Sequence, residues 1–239
     1  TMPPNEVLEL GETPGCARAT TPYAAYLPPA PFEQEQKGQF WVTPVARDRS
    51  RDEQEVQLRE HCYASIPATV LHEAYPGHHL QLVYSNNVSN FVRKHISSNL
   101  FAEGWALYCE QLIGELGYAP VAGLDALPNL FRLYLLKDQL WRAARVLIDV
   151  GLHTRTMSVD EAIRLLVDEV KLTEAAARAE VGRYTMTPTQ PMSYMLGKLE
   201  VLRLREEFKL PLRRFHDLLL SSGTIPVKLV RQEMVRKLA

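Results

Sequence analysis

The sequence predicts a mainly α-helical protein with one short β-strand or hairpin near its N-terminus. From about residue 51 onward, apolar residues recur at helical spacing in one segment after another. Residues 1–37 are instead rich in Pro, Gly and small residues, as is typical of loops. Between these regions, "GQFWVTPV" (38–45) contains the β-branched and aromatic residues that favour a strand. These observations together indicate long helices that pack by their apolar faces.

The N-terminal region, residues 1–50, is predicted to be an irregular segment that wraps around the helices and includes the short strand. Pro44 places that strand at the edge of a sheet, because proline has no N–H to donate to a neighbouring strand. Residues 51–239 are predicted to form one helical, metal-binding catalytic domain, since no repeat, low-complexity tract or clear linker follows residue 50.

Helix start and stop signals divide the second region into elements. Pro67 and Pro191 lie at predicted helix starts. Ser158 and Glu161 form a capping box, and Gly117 is a stop signal. The predicted helical stretches are, in order, "DEQEVQLREHCYASI", "PATVLHEAY", "SSNLFAEGWALYCEQLIGELG", "LPNLFRLYLLKDQLWRAARVLIDVGLHTR", "SVDEAIRLLVDEV", "TEAAARAEVGRYTMTP", "QPMSYMLGKLEVLRLREEF", "PLRRFHDLLLSSG" and "PVKLVRQEMVRKLA".

The composition argues against several classes of protein. The 239 residues carry a net charge of −1, so we expect neither a nucleic-acid partner nor binding to an anionic membrane. Apolar runs fall short of the roughly 20 residues that span a membrane. The three cysteines form no paired motif, which argues against a disulfide scaffold. A cytoplasmic location is slightly favoured, although a chain that begins with Thr1 does not reveal it.

The stretch "HEAYPGHH" (72–79) is the strongest chemical signal. It opens with His72 and Glu73, as a zinc-hydrolase helix does, but the second histidine of that motif is expected where the chain has Pro76. In a regular helix, His78 would lie about 120° around the axis from His72 and about 9 Å along it. That distance is too large for the two residues to share an ion.

Pro76 and Gly77 change this geometry because they break the helix. Proline lacks an N–H and its ring clashes with the carbonyl four residues earlier, while glycine permits conformations that other residues resist. With two residues looped out, His78 falls where the second motif histidine belongs. We therefore predict His72 and His78 as metal ligands, with His79 as the alternative ligand or as a group behind the site.

A third ligand is expected from another helix, because catalytic zinc sites usually have three protein ligands and one open position. Glu103 in "FAEGWALYCE" lies in a strongly helical segment, and Gly104 beside it allows another backbone or a ligand to approach closely. Glu73 is then the candidate general base, directed towards a metal-bound water. The predicted cofactor is Zn²⁺.

Five motifs in order point to a family. They are "HEAYPGHHLQ", "FAEGWALYCEQL", "RAARVLIDVGLH", "EVGRYTMTPTQPMSYMLGKLE" and "FHDLLLSSGTIPVKLV". Together they resemble the bacterial domain-of-unknown-function 885 family over about residues 20–239. That family is similar to helical zinc metallopeptidases such as thimet oligopeptidase, carboxypeptidase Taq and angiotensin-converting enzyme. The resemblance implies a zincin-like fold, of which this chain is the C-terminal catalytic half, because family members are typically about twice as long.

The resemblance also implies roles for individual residues. His72 and His78 match the family's motif histidines, Glu73 its catalytic glutamate, and Glu103 the glutamate of its Glu-Gly-Trp-Ala motif. The implied function is a zinc metallopeptidase that acts on peptides, with Glu73 as general base. Two alternatives stay open, namely an inactive helical binding fragment that keeps the metal site, and a zinc amidase with a non-peptide substrate. We also expect a homo-oligomer or association with the missing N-terminal half, because half a cleft exposes apolar surface.

Tyr184, Tyr194 and His153 are further catalytic candidates. A tyrosine hydroxyl can stabilise the oxyanion of peptide hydrolysis, and both tyrosines lie near prolines where the chain turns. Each could instead pack with its hydroxyl bonded at the rim, and Tyr194 is the preferred candidate. His153 is either a cleft residue or a cation that interacts with the dipole at the end of its helix.

Three charged residues lie one turn apart along the same long helix. A pair between Arg145 and Asp149 is expected to be structural. Two functional alternatives stay open. Arg142 or Arg145 could hold a substrate carboxylate in a bidentate manner, and Asp149 could orient a ligand histidine.

Overall fold

The structure, a computed structural model, describes residues 1–18, 21, 23–60, 62–117 and 128–239. It is mainly helical, which confirms that part of the predicted fold class, and it contains a small sheet near the N-terminus. The strands are β1 (Glu6–Glu12), β2 (Ala24–Leu27) and β3 (Gln36–Val42). The helices are α1 (Arg51–Glu60), α2 (Ile66–Glu73), α3 (His78–Asn86), α4 (Phe91–His95), α5 (Asn99–Glu115), α6 (Pro128–His153), α7 (Val159–Asp168), α8 (Glu174–Met186), α9 (Gln190–Phe208), α10 (Leu212–Leu220) and α11 (Val227–Leu238).

The sheet has the strand order β1-β3-β2, with β1 parallel and β2 antiparallel to β3. The prediction of a single strand or hairpin in an irregular N-terminal segment therefore missed two strands. Strand β1 buries no side chain fully and leaves Leu10 74% exposed, so backbone pairing with β3 defines it rather than apolar alternation. The predicted edge position is wrong as well, because β3 is the central strand and Pro44 lies beyond its last residue.

Helices α5 and α9 form the centre of the helical region and make its most extensive helix–helix contact. With α10 and α11 they share a core that includes the fully buried or nearly buried Trp105, Phe215 and Met234. A second core joins α6, α7 and α8 around Ile148 and Leu166. Removal of these apolar side chains from water is the main stabilising contribution to such a bundle.

Close approach of α5 and α9 depends on two glycines. A Cβ atom added at Gly104 would lie 2.3 Å from the carbonyl carbon of Gly197. One added at Gly197 would lie 1.8 Å from the carbonyl oxygen of Leu100. Both obstacles are backbone atoms, so no side-chain rotation relieves the clash. The contact brings Glu103 of α5 next to the first turn of α9.

In the part of the chain that the structure describes, no helix is both long and apolar enough to cross a membrane, in agreement with the prediction.

Candidate metal centre

The helix break predicted in "HEAYPGHH" is present. Helices α2 and α3 are separated by a four-residue bend. A Cβ atom at Gly77 would lie 1.8 Å from the carbonyl oxygen of His72, so glycine allows the second helix to start against the end of the first. The carbonyl oxygen of Pro76 accepts a hydrogen bond from the indole of Trp105. Helix α5 therefore holds the bend in place.

His72, His78 and Glu103 come together across this bend. Oε2 of Glu103 lies 3.4 Å from Nε2 of His72 and 3.3 Å from Nε2 of His78. One ligand atom from each residue can be chosen so that all three lie within 4.8 Å of one another. The three side chains are only 9–16% exposed. The structure thus assembles the three residues that the sequence pattern indicated.

This donor set fits a zinc ion. A tetrahedral ion with ligands at about 2.0–2.1 Å separates neighbouring ligand atoms by about 3.3–3.4 Å, which matches both distances to Glu103. Oε2 of Glu103 is buried and has no hydrogen-bond partner among the described residues. A buried carboxylate oxygen without a partner is unfavourable, and a cation at this point would satisfy it. Two histidines and one glutamate are also the ligands of known catalytic zinc sites.

Glu110, which the sequence pattern did not indicate, orients His72. Its Oε1 atom lies 2.7 Å from Nδ1 of His72, and the carboxylate is 1% exposed. When Nδ1 donates its proton to a carboxylate, Nε2 remains available to bind a metal. The available signal was an acidic residue on an apolar helix, two turns after Glu103 and on the same face.

The charges of the cluster depend on one another. Burial lowers the pKa of His72, but Glu103 and Glu110 raise it by more, to about 10. Burial raises the pKa of Glu103, but the neighbouring imidazoles of His72 and His78 bring it well below its usual range. In the metal-free protein, a proton on His72 therefore balances the buried carboxylates, and a metal ion would have to displace it.

A cavity of about 140 Å³ adjoins the cluster. Glu73, the predicted general base, lines this cavity together with His72 and Tyr194. The ring of Tyr194 stacks on His72, with ring centroids 6.0 Å apart. The Tyr194 hydroxyl accepts a hydrogen bond of 3.2 Å from Gln190, whose side chain also lies 3.4 Å from Oε1 of Glu103. Glu73 and Tyr194 thus share one cavity with His72 of the cluster.

Tyr184 and His153, the other two catalytic candidates, are not among the residues that line this cavity. Tyr184 is fully buried, and its hydroxyl donates to Glu180 at 2.6 Å and accepts from Arg145 at 2.8 Å. Nε2 of His153 lies 3.1 Å from the carbonyl oxygen of Tyr184, and His153 lines a separate cavity next to the start of α7. The structure therefore gives both residues packing and hydrogen-bonding contacts outside the cluster.

Asp149 has a structural role at the start of α9. Its carboxylate accepts hydrogen bonds of 3.2 and 3.1 Å from the backbone N–H groups of Thr189 and Met192. The predicted pair with Arg145 is not formed. The Asp149 carboxylate instead binds backbone N–H groups at the start of α9, which have no partner within the helix. Arg145 instead pairs with Glu180 at 3.2 Å. The residue that orients a ligand histidine is Glu110 rather than Asp149.

His79, the alternative ligand, is directed away from the cluster. It is fully buried, with Nε2 2.9 Å from a carboxylate oxygen of Glu6 and Nδ1 3.0 Å from the hydroxyl of Tyr26. Gly38 packs so closely that a Cβ atom there would lie 2.6 Å from the same Nδ1. His79 therefore joins α3 to the three-stranded sheet. His78 and His79 have different surroundings because strands β1 and β2, which were not predicted, provide partners for His79.

Comparison with known proteins adds a family to this fold and cluster. The sequence pattern of a family described as bacterial proteins of unknown function (DUF885) matches residues 1–234. The chain belongs to the DUF885 family. This assignment agrees with the resemblance carried by the five motifs, while the family description itself names no activity. A search of curated proteins gives no significant match.

Two solved structures share the fold of this DUF885 chain. One, from Colwellia psychrerythraea, is 28% identical with a TM-score of 0.83, and the match covers 100% of this chain and 39% of that chain. The other, from Shewanella oneidensis, is 32% identical with a TM-score of 0.82, and the match covers 98% of this chain and 41% of that chain. Both are described as a "putative lipoprotein", the second as one of unknown function. The chain thus spans about two fifths of the length of these structures.

Proposed function

We propose that this chain carries the metal centre of a zinc-dependent hydrolase, and specifically of a metallopeptidase. The main support is the buried, unpartnered Oε2 of Glu103, which lies 3.4 and 3.3 Å from the Nε2 atoms of His72 and His78. These three residues would hold the ion, and Glu110 keeps His72 in the binding orientation. When bound, zinc supplies a Lewis acid that activates water and polarises a carbonyl group.

Glu73 acts as general base in this proposal. Its position in the cavity beside His72 lets it take a proton from the attacking water. The water oxygen then forms a bond to the amide carbonyl carbon, the C–N bond breaks, and Glu73 transfers the proton to the leaving amine. Tyr194 donates its hydroxyl hydrogen to the oxyanion, since that hydroxyl already accepts a hydrogen bond from Gln190.

The number of ligands favours the catalytic interpretation over an inactive fragment that keeps a structural metal. Structural zinc sites usually fill four positions with protein ligands, whereas catalytic sites leave one position open. The ligand cluster found within the described residues contains three members, His72, His78 and Glu103. An amidase that acts on a non-peptide substrate would use the same residues, and the choice of substrate in the activity assay separates the two.

A peptide substrate would also need the part of the longer proteins that this chain does not include. Because this chain spans about two fifths of the two solved structures, we expect the additional part of such chains to form the opposite wall of a substrate cleft. A second copy of this chain is the alternative source of that wall. Zinc binding does not depend on either source of that wall, because all three proposed ligands lie on this chain.

Metal analysis of the purified chain tests the first part of the proposal. After purification with zinc present, we expect about one zinc per chain in the wild type and in His95→Ala, an exposed histidine on α4 that serves as the matched control. His72→Ala and His78→Ala should each lose most of the metal. A wild-type chain without stoichiometric zinc would refute the metal centre, and loss of zinc in both ligand variants and the control alike would point to misfolding.

Activity against a mixed peptide library tests the second part. Glu73→Gln should retain zinc and lose hydrolysis, because the amide cannot accept the proton of the attacking water. Equal turnover by the wild type and Glu73→Gln would remove Glu73 as general base. A zinc-loaded wild type that hydrolyses simple amides but no peptide would favour the amidase. If it hydrolyses neither, the inactive-fragment alternative gains support.

A further inference from the structure

We propose that the cavity beside the metal centre binds a carboxylate of the substrate and that Arg142 recognises it. The proposal rests on the hydrolase function for the position of the scissile bond. It adds a substrate class, namely peptides or acylated amino acids with a free C-terminal carboxylate. It also adds a direction of attack, since cleavage would occur next to the C-terminal residue.

Arg142 has hydrogen-bonding capacity that the fold does not use. One end of its guanidinium group, Nη1, lies 3.0 Å from a carboxylate oxygen of Asp138. Its Nε atom is buried and has no hydrogen-bond partner among the described residues. A guanidinium group carries five N–H donors and stays charged, so one ion pair does not satisfy it. A buried N–H without an acceptor is unfavourable, and a ligand oxygen would remove that penalty.

Arg145, one turn further along α6, has a different role in the same wall. Its Nε donates to the hydroxyl of Tyr184 at 2.8 Å, and its Nη2 contacts Glu180 at 3.2 Å. Its guanidinium carbon also lies 4.9 Å from the centre of the Tyr194 ring. These contacts fix Arg145 and pair its charge with Glu180. Arg142, with its unpaired Nε, is therefore the residue expected to contact a ligand directly.

The size and lining of the cavity indicate which carboxylate it can hold. Its volume of about 140 Å³ resembles that of protein cavities that bind one benzene molecule, so it accommodates a group of about one residue. Arg142 lines the same cavity as His72 and Glu73. A terminal residue whose carboxylate contacts Arg142 would therefore fill the cavity, with its amide bond towards Glu73.

A carboxylate suits the unpaired donor of Arg142 better than a neutral group does. Arginine binds a carboxylate through two parallel N–H···O bonds, which fixes orientation as well as charge. A C-terminal amide offers a single carbonyl oxygen and no charge to the same donors. An aspartate side chain provides the same chemistry as a chain terminus, so the experiment must separate these two sources.

The test is a calorimetric binding measurement on the zinc-loaded chain in the Glu73→Gln background, which prevents turnover. Three N-acetylated tripeptides serve as probes, namely one with a free C-terminal carboxylate, its C-terminal amide, and an amide whose last residue is aspartate. We expect the free acid to bind about ten- to hundredfold more tightly than its amide, as for a charge-assisted hydrogen bond. Tight binding of the aspartyl amide instead would assign the site to a side-chain carboxylate and overturn the C-terminal assignment.

Substitutions on α6 test whether the preference for the free acid over the amide depends on Arg142. Arg142→Lys keeps the charge near Asp138 but cannot bind a carboxylate in a bidentate manner, so the preference for the acid should fall to about threefold or less. Arg142→Gln should abolish it. Arg132→Gln, at an exposed position on the same helix, is the matched control and should leave the preference unchanged. Equal binding of acid and amide, or no binding of either, would overturn the proposal.

The binding measurements, together with activity assays on the wild type, separate this inference from the proposed hydrolase. A preference for the acid that depends on Arg142, in a protein that cleaves no peptide in its wild-type form, would support the carboxylate site and reject the hydrolase. Hydrolysis of the acid and its amide with equal kcat/KM would support the hydrolase and reject the carboxylate site.

Discussion

The indole Nε1 of Trp105 donates a hydrogen bond of 2.8 Å to the carbonyl oxygen of Pro76. Trp105 follows Glu103 by two residues on α5, and Pro76 lies in the bend between His72 and His78. The helix that supplies Glu103, the third proposed ligand, therefore also holds the bend that brings His72 and His78 together. This contact makes the geometry of the cluster depend on the packing between α5 and the bend.

Trp105→Phe tests that dependence. The substitution keeps an aromatic ring in the core but leaves the Pro76 carbonyl without its indole donor, which should lower the free energy of unfolding by about 1–3 kcal/mol. Zinc affinity should fall by about tenfold, as for other groups that position metal ligands. Competition with a zinc-binding dye and urea unfolding measure the two effects. Trp41→Phe, on β3, is the control, and an equal loss of zinc affinity in both variants would contradict this role of Trp105.

Glu110→Gln is expected to weaken zinc binding by about 10- to 100-fold, because a neutral amide polarises His72 less than a carboxylate does. Dye competition at pH 7 measures the change. Glu115→Gln, on the same helix but paired with Arg205 at the surface, should bind zinc like the wild type. Unchanged affinity in Glu110→Gln would mean that the contact with Nδ1 does not support the ligand.

Zinc binding at pH 7 is expected to release about one proton from His72, because the pKa of this residue in the metal-free protein is about 10. Zinc affinity should therefore rise about tenfold per pH unit between pH 6 and 9 and level off above about pH 10. Calorimetry in buffers with different ionisation enthalpies counts the protons. Binding without proton release would show that His72 is already neutral.

The same proton affects stability with the opposite sign. A histidine whose pKa is raised on folding stabilises the metal-free fold fully below about pH 6.5, and this contribution is lost as the pH rises through about 10. Urea unfolding of the metal-free chain at pH 7 and pH 10 should show the loss. Glu110→Gln should reduce the difference, because one of the three carboxylates that raise the pKa of His72 is then neutral.

Gly197→Ala is expected to destabilise the protein by about 1–3 kcal/mol or more, because the new methyl group would meet the backbone of α5. Denaturant unfolding measures the change. Gly182→Ala on α8 is the matched control, since a Cβ atom there has no neighbour within 4 Å. This control should stabilise the protein by about 0.5–1 kcal/mol through helix propensity. Equal stability of the wild type and Gly197→Ala would contradict the close helix contact.

Part of the cluster was predictable because its signals are local. The helix break at Pro76 and Gly77 follows from the missing N–H of proline and the freedom of glycine, and both act within a few residues. The structure places His72 and His78 together across that break, as their spacing suggested. Glu110 was not predictable in the same way, because its link to His72 joins positions 38 residues apart.

The sequence alone determined that the protein is mainly helical and that a helix is interrupted at Pro76 and Gly77. Helical periodicity, caps and proline act over short distances, so these features can be predicted locally. It also indicated His72, His78 and Glu103 as a possible ligand set. Only the tertiary structure decided that His79 contacts the sheet. Its partners Glu6 and Tyr26 lie on strands that the sequence pattern did not predict. Only the tertiary structure placed Arg142 and Glu73 in the lining of one cavity and showed that Asp149 binds the backbone at the start of α9. These contacts depend on which elements meet in space, and strand pairing and helix packing fix that choice across long separations in the chain.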